Sequence, residues 1–186
     1  MSYKPRMTES RSPTPLALLA AAARTVAGLS YLLPWLTVSV GARLVVAATG
    51  LNLATGEIAV RVPILGSVES RDGPLALPLI LAEIAIAAGI GASLVAGRRR
   101  GALAGLILSG LALCLIGTFV GYGLYTHAPL PPEQMDWIER IANSIVRQVV
   151  HVRAGIGFWL VASALIVAML LDGANLRASK EGPQSD

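Results

Sequence analysis

The sequence predicts an all-α membrane protein: a four-helix transmembrane bundle with a small extracytoplasmic β-sheet and an amphipathic helix. Hydrophobic residues fill 54% of the 186 positions and charged residues only 14%, whereas soluble domains carry about 25% charged residues. Three separate runs are apolar over about the 20 residues that a helix needs to cross the hydrocarbon core, and a fourth is near the lower limit of that length. The segments between them show the periods of strands or of an amphipathic helix.

The first predicted span covers residues 15–36 and follows a polar N-terminus, 1–14, that we expect to be cytoplasmic and disordered. A basic leader before an apolar run is also typical of a cleavable signal peptide. This run is longer than a signal-peptide core and continues past Arg24 to Tyr31 and Trp35. We therefore interpret it as a retained span.

The second and third predicted spans, 75–97 and 101–125, are separated by three arginines. A loop that short predicts an antiparallel hairpin, and its basic tip favours the cytoplasm. The fourth span is placed at 155–171, which closes a membrane domain of 15–172 before a cytoplasmic tail, 173–186. Basic residues also flank the first and last spans, so both termini are predicted to be cytoplasmic. Abundant arginine and alanine suggest a GC-rich bacterial genome, and hence the bacterial inner membrane, the cell membrane, as the location.

The two outer segments, 37–74 and 126–154, differ in period. In the first, apolar residues alternate with polar ones around Val38 to Val46 and again around Ile58 to Ile64, which predicts a sheet of two to three strands. The second follows two prolines with apolar residues at helical spacing. This stripe comprises Ile138, Ile141, Ile145, Val149 and Val152. The predicted helix could lie on the membrane, cover the sheet or continue into the fourth span, and we favour covering the sheet.

Arg24 and Glu83 are ionisable residues placed deep inside the first and second predicted spans. A charge at the centre of a span costs about 2.5–3.5 kcal/mol, so each residue needs a partner or a function. A rise of about 1.5 Å per residue puts the two at heights about 7–8 Å apart, which long side chains can bridge. We predict an intramembrane ion pair that fixes helix register. The alternatives are a proton, ion or counter-ion site, or a protonated Glu83 bonded to backbone.

Small residues recur every four positions in the second and third spans, a pattern that permits close helix packing. They are Ala85, Gly89, Ser93 and Gly97, then Gly101, Gly105 and Ser109, with Gly117 and Gly121 beyond. We interpret these ridges as intramolecular packing surfaces, with oligomerisation as the alternative.

The sequence predicts no catalytic, cofactor-binding or metal site. One cysteine, Cys114, excludes an intrachain disulfide. Two histidines, His127 and His151, could form a metal or pH-sensing pair, but two ligands do not complete a zinc site, and we expect solvated histidines. The net charge of +4 reflects membrane topology rather than a nucleic-acid partner.

The layout of four spans with a strand-bearing first outer segment resembles the claudin-like tetraspan arrangement. Trp35 followed by Gly50 and Leu51 is similar to that family's outer-loop signature, although Asn52 stands where the family has a tryptophan. The "LPW" that ends the first span and the "GIGFWL" that opens the last also resemble uncharacterised bacterial four-span membrane proteins.

The leading functional hypothesis is a non-enzymatic accessory or envelope-structural subunit that binds a partner through its outer sheet and helix. Its expected partners are membrane lipids and a membrane or envelope protein, or further copies of itself. The alternative is a small transporter or channel subunit that uses Arg24 and Glu83. A membrane enzyme acting on lipid or isoprenoid substrates is the third hypothesis.

Overall fold

The computed structural model describes residues 13–40, 43–61, 68–72, 75–95, 98–126 and 150–179. Within them the elements are α1 (Pro15–Leu29), a 3₁₀ turn (Ser30–Leu32), β1 (Pro34–Val40), β2 (Arg43–Thr49), α2 (Gly50–Thr55), β3 (Glu57–Arg61), β4 (Val68–Asp72), α3 (Leu77–Val95), α4 (Arg98–Thr126), β5 (Val150–Ala154) and α5 (Ile156–Ala178). Among these elements, α1 with its 3₁₀ turn, α3, α4 and α5 are long and apolar enough to cross a membrane. The predicted tetraspan layout is confirmed to that extent.

The start and end of α1 follow from local sequence. The Thr14 side chain accepts a hydrogen bond from the Ala17 backbone N–H at 3.2 Å, and Pro15 stands at the first helical position, where its missing N–H carries no penalty. At the other end Pro34 cannot continue the helix, and β1 begins there. The helix therefore stops short of the predicted boundary at residue 36.

The four long helices form a ring in which α1 packs against α3 and α5, and α4 packs against the same two neighbours. Helices α1 and α4 thus lie on a diagonal. Small side chains at the interfaces let the helices approach closely. Fully buried alanines include Ala20, Ala27, Ala82, Ala112 and Ala168. Larger apolar side chains fill the centre, with Leu79, Val161 and Leu165 each 0% exposed.

The sheet stands at one end of this bundle, because α1 leads into β1 and β5 leads into α5. Helix α3 also begins there, since the Ala76 N–H donates to the Ala54 carbonyl of α2 at 3.0 Å. We call this the sheet end. The opposite end, where α4 begins with Arg98, Arg99 and Arg100, is the arginine end.

Five antiparallel strands are described, in the order β4-β3-β2-β1-β5. The small predicted sheet is present, and β1, β2 and β3 account for the two to three strands expected from residues 37–64. Strands β4 and β5 come from residues beyond that range and enlarge the sheet. Thr49 caps α2 by accepting from the Asn52 N–H at 3.1 Å, and Gly56 ends that helix with φ 80°. A left-handed residue of this kind favours glycine.

Strand β5 corrects the predicted amphipathic helix at its C-terminal end. Val152, assigned to the helical stripe, lies in β5 and faces Val38 of β1 in register. Val149 and Val152 have helical spacing, whereas Val150 and Val152 alternate as in a strand, so the sequence allows either structure here. Pairing of Val150 and Val152 with β1 shows that the segment is a strand. The rest of the predicted helix, together with His127, lies outside the described residues, as does the N-terminal segment 1–12.

The fourth helix also differs from its prediction. It continues to Ala178, beyond the expected end at Leu171, so residues 173–178 belong to a helix rather than to the predicted tail. The predicted boundary stopped at the first charge, Asp172. The helix continues because this carboxylate is paired inside the bundle, as described below.

Trp35 joins the sheet to the bundle. Its side chain is 3% exposed and its indole N–H donates to the Ser30 carbonyl at 3.0 Å. The Gly155 N–H donates to the Trp35 carbonyl at 2.7 Å, which ties the last residue before α5 to β1. Glycines make room for the ring, since a Cβ at Gly50 would lie 2.6 Å, and one at Gly157 2.7 Å, from indole atoms.

Candidate functional site

Arg24 lies at the centre of the bundle, with 1% of its surface exposed. Its Nη1 donates to Ser93 Oγ of α3 at 2.7 Å, and its Nε donates to Ser109 Oγ of α4 at 3.0 Å. Its Nη2 forms a salt bridge with the Asp172 carboxylate of α5. One α1 side chain therefore contacts all three other long helices.

The predicted pair between Arg24 and Glu83 is wrong. The described partners of Arg24 are Asp172 and two serines, and Glu83 Oε2 has no hydrogen-bond partner among the described residues. Matching heights along the helices is not sufficient for contact, because direction around the axis also matters. Gly89, beside Arg24, is six residues from Glu83 and so about 120° around α3. Glu83 therefore points to a different side of α3 from the one that contacts Arg24.

The small-residue ridges of α3 and α4 converge on the guanidinium. A Cβ at Gly89 would lie 2.9 Å from Arg24 Nε, and one at Gly105 would lie 2.6 Å from both Arg24 Nη2 and Asp172 Oδ2. These glycines therefore provide the space that the buried ion pair occupies. Gly101 is buried in α4, while Gly97 lies outside the described residues. Helices α3 and α4 pack against each other, but the atoms nearest to Gly89 and Gly105 belong to Arg24 and Asp172, and Gly117 and Gly121 have nothing within 4 Å of an added Cβ. The packing role of the ridges stays a prediction.

The electrostatics of this cluster balance. Arg24 and Asp172 are both 1% exposed, and their charges cancel. Arginine has five N–H donors, and three of its nitrogens donate to described side chains. Ser93 also donates to the Gly89 carbonyl at 3.0 Å, so that hydroxyl both accepts and donates. A buried pair held by these contacts fixes geometry, and removal of either partner would leave an uncompensated buried charge.

Asp172 is the residue of this candidate site that sequence reasoning missed. A signal for it existed, since the predicted fourth span of 155–171 was shorter than the roughly 20 residues that a spanning helix needs. Extending that span toward the tail brings Asp172 inside it. Asn175, one turn further on, is also buried at 2% exposure, and Thr14 donates to its side chain at 3.4 Å.

The remaining predicted site residues are not brought to this centre. Glu83 faces a groove between α1 and α3, and His151 lies in β5 opposite Ser39. Within the described ranges no group of three His, Cys, Asp or Glu side chains could hold a metal.

In comparisons with known proteins, no protein-family model matches the chain, and no curated protein matches it. The claudin-like likeness therefore stays a resemblance carried by Trp35, Gly50 and Leu51. Gly50 does pack directly against the Trp35 ring, whereas Leu51 is 50% exposed.

Proposed function

We propose that this integral membrane protein is a non-enzymatic accessory or envelope-structural subunit that holds its sheet in a fixed orientation toward a partner protein. The observation that carries the proposal is the continuity between sheet and bundle. Strands β1 and β5 pair with each other, and each is joined to a membrane helix with no flexible linker. A sheet joined to the bundle in this way presents a more rigid docking surface than a mobile loop would.

The centre of the bundle supports the same proposal. Arg24 ties α1 to α3, α4 and α5 through bonded, buried partners. A charge held by this many contacts resists displacement, because each lost contact leaves a buried polar group unpaired. The bundle thus provides a rigid base for the sheet.

The proposed orientation places the arginine end in the cytoplasm and the sheet outside, in the bacterial inner membrane. Arg98, Arg99 and Arg100 begin α4 at that end, and Arg177 lies in the last turn of α5 beside it. Basic residues of this kind favour the cytoplasmic side. Both termini would then be cytoplasmic, and the sheet would meet an envelope partner or a second copy of the chain.

The proposal is tested by photo-crosslinking in cells. Benzoylphenylalanine is placed at Ala47 or Arg153, which are exposed on the sheet, or at Leu170, which is 68% exposed on α5. We expect one discrete protein adduct from the two sheet positions and none of it from Leu170. Co-expression of two differently tagged copies tests whether the partner is a second copy of the chain, because the adduct would then carry both tags. A lack of adducts at the sheet, or the same adduct at Leu170, would contradict the proposal.

The second candidate function is a small transporter or channel subunit, now centred on Arg24 and Asp172. Buried ionisable pairs inside a membrane are typical of such proteins as well as of static bundles. An Asp172→Glu variant separates the two, because it keeps the charge and shifts its position by one methylene. If the protein is a carrier, the variant should change proton or ion flux and keep the sheet crosslinks. If it is a structural subunit, the variant should keep the crosslinks and change no flux.

A further inference from the structure

A groove of about 360 Å³ runs between α1 and α3, and neither Arg24 nor Asp172 lines it. Leu29 and Leu32 of α1 and its 3₁₀ turn line it and are 59% and 61% exposed. Leu51 of α2 lines its sheet end, and Ile90 of α3 lines it toward the arginine end. The groove is therefore apolar and opens to the surroundings of the helices.

One carboxyl group interrupts this apolar surface. Glu83 lines the groove, and its Oε2 atom is buried without a hydrogen-bond partner among the described residues. Buried polar atoms are bonded in the great majority of cases, so an unpaired carboxyl oxygen requires an explanation. Gly28 leaves space beside the group, since a Cβ there would lie 3.6 Å from Glu83 Oε1.

The size of the groove distinguishes between possible occupants. Pockets for small ligands have volumes of about 300–1,000 Å³, with mostly apolar walls and few polar groups. A transmembrane helix of a partner, about 10 Å across, would need a longer and wider surface. The groove fits one apolar chain.

The polar end of that chain follows from Glu83. A hydroxyl can donate to a carboxylate or accept from a carboxylic acid, so it suits this group in either protonation state. Glu83 lies six residues, about 9 Å, inside α3 from Leu77. A phosphate drawn to that depth would need a basic partner, and the guanidinium of Arg24 is already bonded to Asp172.

We propose that this groove binds a neutral lipid alcohol, with its apolar chain between α1 and α3 and its hydroxyl hydrogen-bonded to Glu83. Such a ligand would enter sideways from the bilayer through the open side of the groove. This site is independent of the sheet and of the partner proposed above.

The test uses the full chain in lipid nanodiscs and a hexadecanol probe that carries a diazirine and an alkyne. A second probe has the same chain and ends in a methyl group. We expect the alcohol probe to label α1 near Leu29, to be displaced by excess hexadecanol, and to exceed the methyl probe about tenfold. This is the change expected for one hydrogen bond to a buried group.

Two variants at neighbouring positions provide a matched control. Ala87 and Ala88 are both exposed on α3, but only Ala87 lines the groove. Ala87→Phe should abolish labelling near Leu29, whereas Ala88→Phe should preserve it. Glu83→Leu should reduce labelling by the alcohol probe to the level of the methyl probe.

Three results would overturn the proposal. These are equal labelling by the alcohol and methyl probes, equal loss in Ala87→Phe and Ala88→Phe, and preferential labelling by a hexadecylamine probe. The last result would assign the groove to a cationic amphiphile. Because the Ala87→Phe comparison leaves Glu83 unchanged, the test holds even if Glu83→Leu fails to fold.

Discussion

Arg24 of α1 donates to the carboxylate of Asp172 of α5, 148 positions later in the chain, and both side chains are 1% exposed. This contact closes the ring of helices between its first and last members. Ser93 and Ser109 add α3 and α4 to the same guanidinium. The charged centre therefore defines the register of the whole bundle.

Glycines beside the ion pair should tolerate no side chain. A Cβ at Gly105 would lie 2.6 Å from Arg24 Nη2 and Asp172 Oδ2. Gly105→Ala should therefore lower the free energy of unfolding by about 1–3 kcal/mol, the usual effect of overpacking. Gly117 of the same helix has nothing within 4 Å of an added Cβ, so Gly117→Ala should raise stability by about 0.5–1 kcal/mol. Thermal unfolding in detergent measures both, and equal effects would contradict the described packing.

Trp35 should control how firmly the sheet is held. Trp35→Phe removes the hydrogen bond to the Ser30 carbonyl, which contributes about 0.5–1.5 kcal/mol. Hydrogen exchange should therefore become faster in β1 and β5 and stay unchanged in α3. Trp159 is 63% exposed, so Trp159→Phe serves as the control and should leave exchange unaltered. Unchanged exchange in Trp35→Phe would show that the indole does not hold the junction.

Glu83 should lower the stability of the protein when no ligand occupies the groove. Its buried Oε2 atom has no described partner, and an unsatisfied buried acceptor costs about 1–3 kcal/mol. Glu83→Leu should raise the free energy of unfolding by up to about that amount. Glu83→Gln keeps a polar group at this position and should raise the free energy of unfolding less. Chemical unfolding in mixed micelles gives the comparison. A large loss of stability in Glu83→Leu would indicate a bonded partner for this carboxyl group.

The proposed orientation predicts which positions a membrane-impermeant thiol reagent can reach. In a Cys114→Ala background, single cysteines replace Pro13 just before α1, Ser179 after α5, or Ala47 on the sheet. The cysteine at Ala47 should be labelled from outside intact cells, and those at Pro13 and Ser179 only after permeabilisation. The reverse pattern would invert the orientation, since α1 begins and α5 ends at the same end of the bundle.

Hydropathy alone predicted the four helices, because spanning segments need a length and composition that few other segments have. The same criterion missed Asp172, since it treats a charge as the end of a span. Only the three-dimensional structure shows that a charge of opposite sign lies beside it. The pairing of Arg24 with Glu83 failed for a related reason, because sequence gives height along a helix more readily than the direction a side chain faces.

The strands show a second limit of prediction from the sequence. Residues 37–64 alternate clearly, and β1, β2 and β3 were predictable from that period. In β5, Val152 also fits the helical stripe that includes Val149, and the choice depends on β1, more than a hundred residues earlier. Long-range pairing of this kind cannot be read from a local period.

A double-mutant cycle tests the central claim most directly. The free energy of unfolding is measured for Arg24→Gln, Asp172→Asn and the double variant, and the same is done for Arg24→Gln with Glu83→Gln. The structure predicts a coupling energy of about 1–3 kcal/mol between Arg24 and Asp172, and additive effects within about 0.5 kcal/mol for Arg24 and Glu83. Additive effects for Arg24 with Asp172, or strong coupling of Arg24 with Glu83, would contradict the account.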